Sequence, residues 1–258
     1  MAFIHYRTKG IFLKKTDIGE ADRLFTVYTR DFGKLDILAR AIRKIKSKLR
    51  GASDIFYLSE IEFIQGRVYK TLTDALLIKK FKNLRRDNRE SEFARNLADN
   101  LDLLLREEEK DEKIWRLLIE TLENLNSQLS NQSINNSQLL LYYYFLWNLF
   151  SVLGYAPQLY SCPVCSKKLL PETFWFVNEE GGVVCWHCFK KFSQEKQKTA
   201  REISVDTVKV LRIFLKENSS VLKKIKLEKE AQDNLREVSE SYLNYLKSDF
   251  QKTENNIK

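Results

Sequence analysis

The four cysteines of this chain fall in two Cys-x-x-Cys pairs, Cys162/Cys165 and Cys185/Cys188, with nineteen residues between the pairs. That is the spacing of a four-thiolate zinc site. Each pair turns two sulfurs onto one ion, and two pairs complete a tetrahedron with bonds of about 2.3 Å. Four thiolates leave no open position for a substrate, so the pattern implies one structural Zn2+ and not a catalytic one. Two disulfides are the competing arrangement. The start, MAFIHYRTKG, has no apolar core and no cleavage site, so no signal peptide is expected, and reduced, metal-binding thiols follow. A thioredoxin-like motif would take a single pair at a helix start. His187 lies inside the second pair; with four sulfurs at hand it is expected to be exposed and unligated.

A metal site of this kind closes a small module, and the rest of the chain needs cores of its own. At 258 residues, 43% of them hydrophobic, it suits two domains. The net charge is +9, of which residues 1–80 carry +8. A field confined to the first third of a chain suggests a polyanionic partner for that third.

Residues 7–80 alternate as short strands do, at 9–15, 23–30, 34–39, 55–64 and 69–78, and are rich in Val, Ile, Thr, Phe and Tyr. Asp31-Phe32-Gly33 and Gln65-Gly66 supply turns. Five short strands in so few residues predict a small barrel. An OB-fold is one such design, and an SH3-like barrel fits the pattern nearly as well.

From about residue 84 the period becomes helical. Phe93, Leu97, Leu101, Leu104 and Leu105 line one face of 91–106. Ile114, Leu118, Leu122 and Leu125 line another over 111–125, with Asp111 as N-cap. The uncharged stretch 124–138 reads as a long loop, with a frayed helix end within it as the alternative. The apolar run 139–156 is borderline for a membrane span, but it holds four tyrosines and has no basic anchor on its N-terminal side. It is expected to be a buried central helix stopped by Gly154 and Pro157, with no membrane contact. Over 160–192, Phe174–Val177, a turn at Asn178–Gly182 and a return through Val183-Val184 form the hairpin of a zinc ribbon. Helices over 204–217, capped by Ser204, and 230–250 follow, and disorder is expected from 251. The chain is therefore α+β: a β-barrel domain at 1–80, then an all-α domain at 81–258 carrying a four-cysteine, zinc-ribbon-like insertion.

Between the third and fourth strands lies the most basic stretch, residues 40–50. Arg40, Arg43, Lys44, Lys46, Lys48 and Arg50 make six cations in eleven residues, with no acid. Such a run neutralises phosphates and releases counterions. Arg7, Lys9, Lys14, Lys15, Arg23 and Arg67 can extend it. Phe12, Phe25, Tyr28, Phe56 and Tyr57 are candidates to stack on bases, although strand alternation should bury about half of them. Signals for catalysis are poor. The chain has two histidines and no phosphate-binding glycine motif, and no small-molecule substrate is expected. A nuclease would have to use Glu107–Glu112 with magnesium, but that run reads better as a solvated loop. The readings left are a DNA-binding protein or an RNA-binding zinc-ribbon/OB protein of translation or RNA metabolism.

The order of features resembles the bacterial DNA repair protein RecO family. The resemblance rests on Gly19-Glu20-Ala21-Asp22-Arg23-Leu24, Thr29-Arg30-Asp31-Phe32-Gly33-Lys34-Leu35, Lys46-Ser47-Lys48-Leu49-Arg50-Gly51 and Thr71-Leu72-Thr73-Asp74-Ala75. Leu153-Gly154-Tyr155-Ala156-Pro157, both cysteine pairs and Gly181-Gly182 extend it. It implies an N-terminal OB-fold, a helical domain with a zinc finger, and a cytoplasmic, nucleoid-associated recombination mediator without enzymatic activity. Such a protein binds single- and double-stranded DNA and anneals complementary strands. With RecR it helps load RecA onto DNA coated by single-stranded-DNA-binding protein, whose acidic C-terminal tail it contacts. The family's basic barrel surface maps here onto Arg40, Arg43, Lys44, Lys46, Lys48 and Arg50.

Overall fold

A computed structural model describes residues 4–85, 89–127, 136–170, 174–216 and 218–255. Contacts group the chain into two units, Met1–Gln132 and Ser133–Lys258.

In the first unit, β1 (His5–Ile18), β2 (Asp22–Thr29), β3 (Gly33–Ala39), β4 (Tyr57–Ile64) and β5 (Lys70–Lys80) close a barrel in the order β1-β2-β3-β5-β4. Every neighbouring pair is antiparallel except β3 and β5, which run parallel. That pair decides between the two barrels the residue pattern allowed, because it gives the OB-type connection. The period of two is plain in β3 and β4. Leu35, Ile37, Ile61 and Phe63 point inward against Phe12, Phe25, Val27 and Leu72, and their polar neighbours point out. A bulge between Phe12 and Lys14 bends β1 so that one strand serves both β2 and β4.

Two helices belong to the same unit: α1 (Arg89–Leu104) and α2 (Glu112–Ser127). Lys14 ties the barrel to α1, its ammonium 2.8 Å from both Asp99 and Asp102. Asp111 caps α2 as expected, its carboxylate accepting from the N–H of Lys113 at 2.7 Å and of Ile114 at 3.1 Å. Of the stretch expected as a loop, 124–127 finish α2, 136–138 begin the next helix, and 128–135 lie outside the described residues.

The second unit is built around α3 (Asn136–Val152). From Leu139 to Phe150 every residue but Asn148 is buried, and the Asn148 amide donates to the carbonyls of Tyr144 and Phe214. Trp147 is 0% exposed; its indole donates to Ser239 at 2.9 Å and stacks on Tyr242. This is the all-round-buried helix the sequence suggested. Among the described residues no helix is long and apolar enough to cross a membrane. Gly154, at φ +90°, ends the helix; the N–H of Tyr155 returns to the carbonyl of Phe150.

After α3 come β6 (Phe174–Val177), β7 (Gly182–Cys185), α4 (Trp186–Phe189), α5 (Gln194–Thr199), β8 (Arg201–Ile203), α6 (Val205–Lys216) and α7 (Lys229–Asn255). The hairpin β6–β7 is the expected one, and Ser204 caps α6, accepting from the N–H of Thr207. The sequence did not disclose β8, which adds to β6 and gives the order β7-β6-β8. Disorder was expected from residue 251, yet 251–255 continue α7; 256–258 lie outside the described residues.

Candidate nucleic-acid interface and metal centre

The basic segment leaves β3 through a clamp. Ala41 sits at φ +52°, a left-handed conformation that costs a non-glycine residue about 1 kcal/mol. Its N–H donates to the Asp22 carboxylate at 2.7 Å, and the N–H of Arg43 donates to the carbonyl of Ala21 at 3.0 Å. Ala21 ends the turn between β1 and β2, and Asp22 is the first residue of β2. Ile42 is buried, and Leu49, in a 3-10 turn over Lys48–Gly51, packs against the barrel core. Two apolar anchors hold the segment down while Arg40, Lys44, Lys46, Lys48 and Arg50 stand exposed. Among the described residues none of these five makes an ion pair. At the tip, Ile45 is 91% exposed.

Two of the candidate cations are engaged elsewhere. Arg23 donates to Asp17 at 2.6 Å, with its guanidinium over the ring of Phe25, and Arg43 reaches the other oxygen of Asp17 at 3.5 Å. The hydrogen bond from Arg23 holds the Asp17 carboxyl below its usual range, and Arg43 and Lys15 add to this. Arg43 also donates to the carbonyl of Gly19. Of the cations that might have widened the surface, Arg7 pairs with Glu62, Lys14 with Asp99 and Asp102, and Lys15 with Asp54, whereas Lys9 and Arg67 stay exposed. Residue patterns did not single out Asp17 or Asp22 as the clamp. The available signal was their position on either side of the short Gly19–Ala21 turn, where a carboxylate can serve a neighbouring loop.

The expectation for the aromatics needs correction. Phe12, Phe25, Tyr28, Phe56 and Tyr57 are all buried, at 0–7% exposure, and none offers a free ring face. The barrel is narrow and uses large side chains to fill it: Phe12 meets Phe25 edge-on at 4.9 Å. Tyr28 stacks on Trp115 of α2, and Tyr57 lies beneath the cations of Lys80 and Arg85.

In the second unit the four cysteine sulfurs lie within 4.8 Å of one another. Sγ of Cys165 and Sγ of Cys185 are 3.9 Å apart, far beyond a disulfide bond. A tetrahedron with metal–sulfur bonds of about 2.3 Å has edges of about 3.8 Å, so the donor set fits one metal ion. The first pair is shaped by a turn in which Ser166 takes φ +59° and donates its N–H to the carbonyl of Cys162. The second straddles the junction of β7 and α4. A hydrogen bond involving the Lys167 backbone pulls the Cys165 thiol down to about 7, while burial, with the neighbouring sulfurs, pushes Cys188 up to about 12. His187 is exposed and outside the cluster.

The acidic run is divided among separate partners. Glu108 pairs with Lys70, Glu109 with Arg106, and Glu112 with Arg30 and Arg116, while Asp111 caps α2. These carboxylates do not converge on a common point, and the cysteines are the one group among the described residues placed to share a metal ion.

Comparison with known proteins gives this arrangement a lineage. The model "Recombination protein O N terminal" matches residues 1–81, and "Recombination protein O C terminal" matches residues 89–252. The chain is 33% identical to a DNA repair protein RecO of Dehalococcoides mccartyi over 213 residues, covering 83% of this chain and 79% of that one. It is 30% identical to the RecO of Caldanaerobacter subterraneus subsp. tengcongensis, covering 95% and 94%. It is 27% identical to that of Acetivibrio thermocellus, covering 98% and 99%. With an OB-like barrel, a helical second part and a four-cysteine cluster all in place, the chain belongs to the RecO family of DNA repair and recombination proteins.

Proposed function

We propose that this chain is a non-enzymatic recombination mediator working in the bacterial cytoplasm at the nucleoid. It binds single- and double-stranded DNA through the segment 40–50, anneals complementary strands and, with RecR, helps RecA load onto DNA coated by single-stranded-DNA-binding protein. The acidic tail of that protein docks on the helical domain, residues 81–258, and the barrel domain, residues 1–80, supplies the main DNA contact. The observation that carries the DNA-binding part is the clamped segment with five exposed cations and no internal counter-charge. Arg40, Lys44, Lys46, Lys48 and Arg50 meet phosphates, while Arg23 and Arg43 act mainly through Asp17 to hold the segment in place. Cys162, Cys165, Cys185 and Cys188 hold one structural Zn2+, which fastens residues 160–192.

The test is the variant K44Q/K46Q/K48Q. Three lost phosphate contacts should flatten the salt dependence of single-strand binding by about 2 logarithmic units per decade of salt. Annealing of strands coated with single-stranded-DNA-binding protein should slow in parallel. An unchanged slope removes the segment from the mechanism, and a strong preference for RNA of equal length points to RNA metabolism instead.

A further inference from the structure

Phe12, Phe25, Tyr28, Phe56 and Tyr57 of the barrel are buried, but the four-cysteine module displays a stack of rings at its surface. Trp186, on α4, is 41% exposed. It lies against Trp175 of β6, with centroids 5.0 Å apart and planes 28° apart. Trp175 in turn lies flat on Phe189, at 4.1 Å and 5°. The stack has a firm base: across the sheet register Trp175 sits opposite Val184, which is 0% exposed. The ammonium of Lys190 stands 4.0 Å over the Trp186 ring. Lys190 and Lys191 are exposed and make no ion pair among the described residues, and Lys167 and Lys168 follow the facing knuckle in the same state. The nearest acid in the register is Glu202, opposite Trp175 on β8.

We infer that this stack is a platform for an unpaired base of a single DNA strand. Aromatic faces flanked by unpaired cations are the means by which proteins hold single strands without reading sequence. The cation over Trp186 is on a flexible stem, so an incoming base can take its place while the ammonium moves to an adjacent phosphate. Duplex DNA keeps its base faces stacked and has none to offer, so the platform selects unpaired strands. This inference rests on the DNA-binding reading and adds to it: the barrel contributes charge, and the module contributes ring contact.

Tryptophan fluorescence of the full, metal-loaded chain tests it, because Trp115 and Trp147 are buried and Trp175 and Trp186 carry the exposed signal. Oligo(dT) should quench this signal and bind about tenfold more tightly than an abasic strand of the same length. W186A should lose that preference with its affinity for the abasic strand unchanged, and W186F should retain most of it. Binding of oligo(dT) to the unmutated chain without quenching overturns the proposal and needs no variant. So does an intact preference in W186A, and so does tighter binding and stronger quenching by oligo(rU). If neither DNA strand binds the unmutated chain, the DNA-binding reading fails as well; if both bind equally, the platform alone fails.

Discussion

The carboxylate of Asp22 accepts the N–H of Ala41 at 2.7 Å, joining the start of β2 to the residue at which the basic segment leaves β3. Ala41 has a positive φ, and this bond is what offsets that conformation. D22A should therefore loosen the segment without touching a cation. A hydrogen bond to a charged group contributes about 1.5–3 kcal/mol. Amide exchange at Ala41 should accelerate by about tenfold or more, and DNA affinity should fall while the salt slope stays nearly constant. D22N keeps an acceptor and should restore both. Unaltered exchange in D22A would remove Asp22 from the clamp.

Gly33 is held by two constraints at once. Its φ is +68°, and a Cβ there would lie 2.2 Å from the carbonyl oxygen of Glu109. The segment between α1 and α2 crosses the β2–β3 turn at this point, with the N–H of Glu108 donating to the carbonyl of Lys34. G33A should destabilise the first unit by about 2–4 kcal/mol, read as a lower urea midpoint. An unmoved midpoint would mean that the crossing segment yields without cost.

Acid should weaken the first unit through Asp54 and Asp102. Burial pushes both carboxyls up, but charges and hydrogen bonds outweigh it: Lys15 and Arg85, with a hydrogen bond from the Ile55 N–H, at Asp54, and Lys14 and Lys34 at Asp102. Both therefore lie below their ordinary range. A carboxyl with a folded-state pKa below its unfolded one, about 3.9, contributes stability above that value and loses it as pH falls through the folded pKa. The urea midpoint should hold from neutrality down to about pH 5 and drop below pH 4. D54N/D102N should flatten that drop and lower the neutral-pH stability by about 1–2 kcal/mol, allowing for solvent screening of these partly exposed pairs. An equally steep drop in the double variant would assign it to other groups.

Metal removal should act locally. The chain is expected to retain one equivalent of zinc through dialysis, with the thiols shielded. Chelation, or C162S, should free the remaining thiols and shift the emission of Trp175 and Trp186. The helical core should persist, because Phe176 is anchored against Trp147 and Tyr242. A metal-free chain with four titratable thiols and unchanged emission would show that the knuckles close unaided.

Local pattern was enough for much of this protein. Alternation in β3 and β4, the all-round apolar run of α3, the caps at Asp111 and Ser204 and the cysteine spacing each act through near neighbours, so the sequence determined them by itself. Strand β8 was hidden because three residues show no period, and it forms only because β6 offers an open edge. The fate of each cation was equally invisible. Arg23 and Arg43 look like Lys44 and Lys46 in composition, yet only the fold brings Asp17 to the first two and leaves the others in solvent. Tertiary structure also decided where the aromatics went: a narrow barrel needed Phe12 and Phe25 for its volume, while the hairpin and short helix of the cysteine module had no such interior for Trp186.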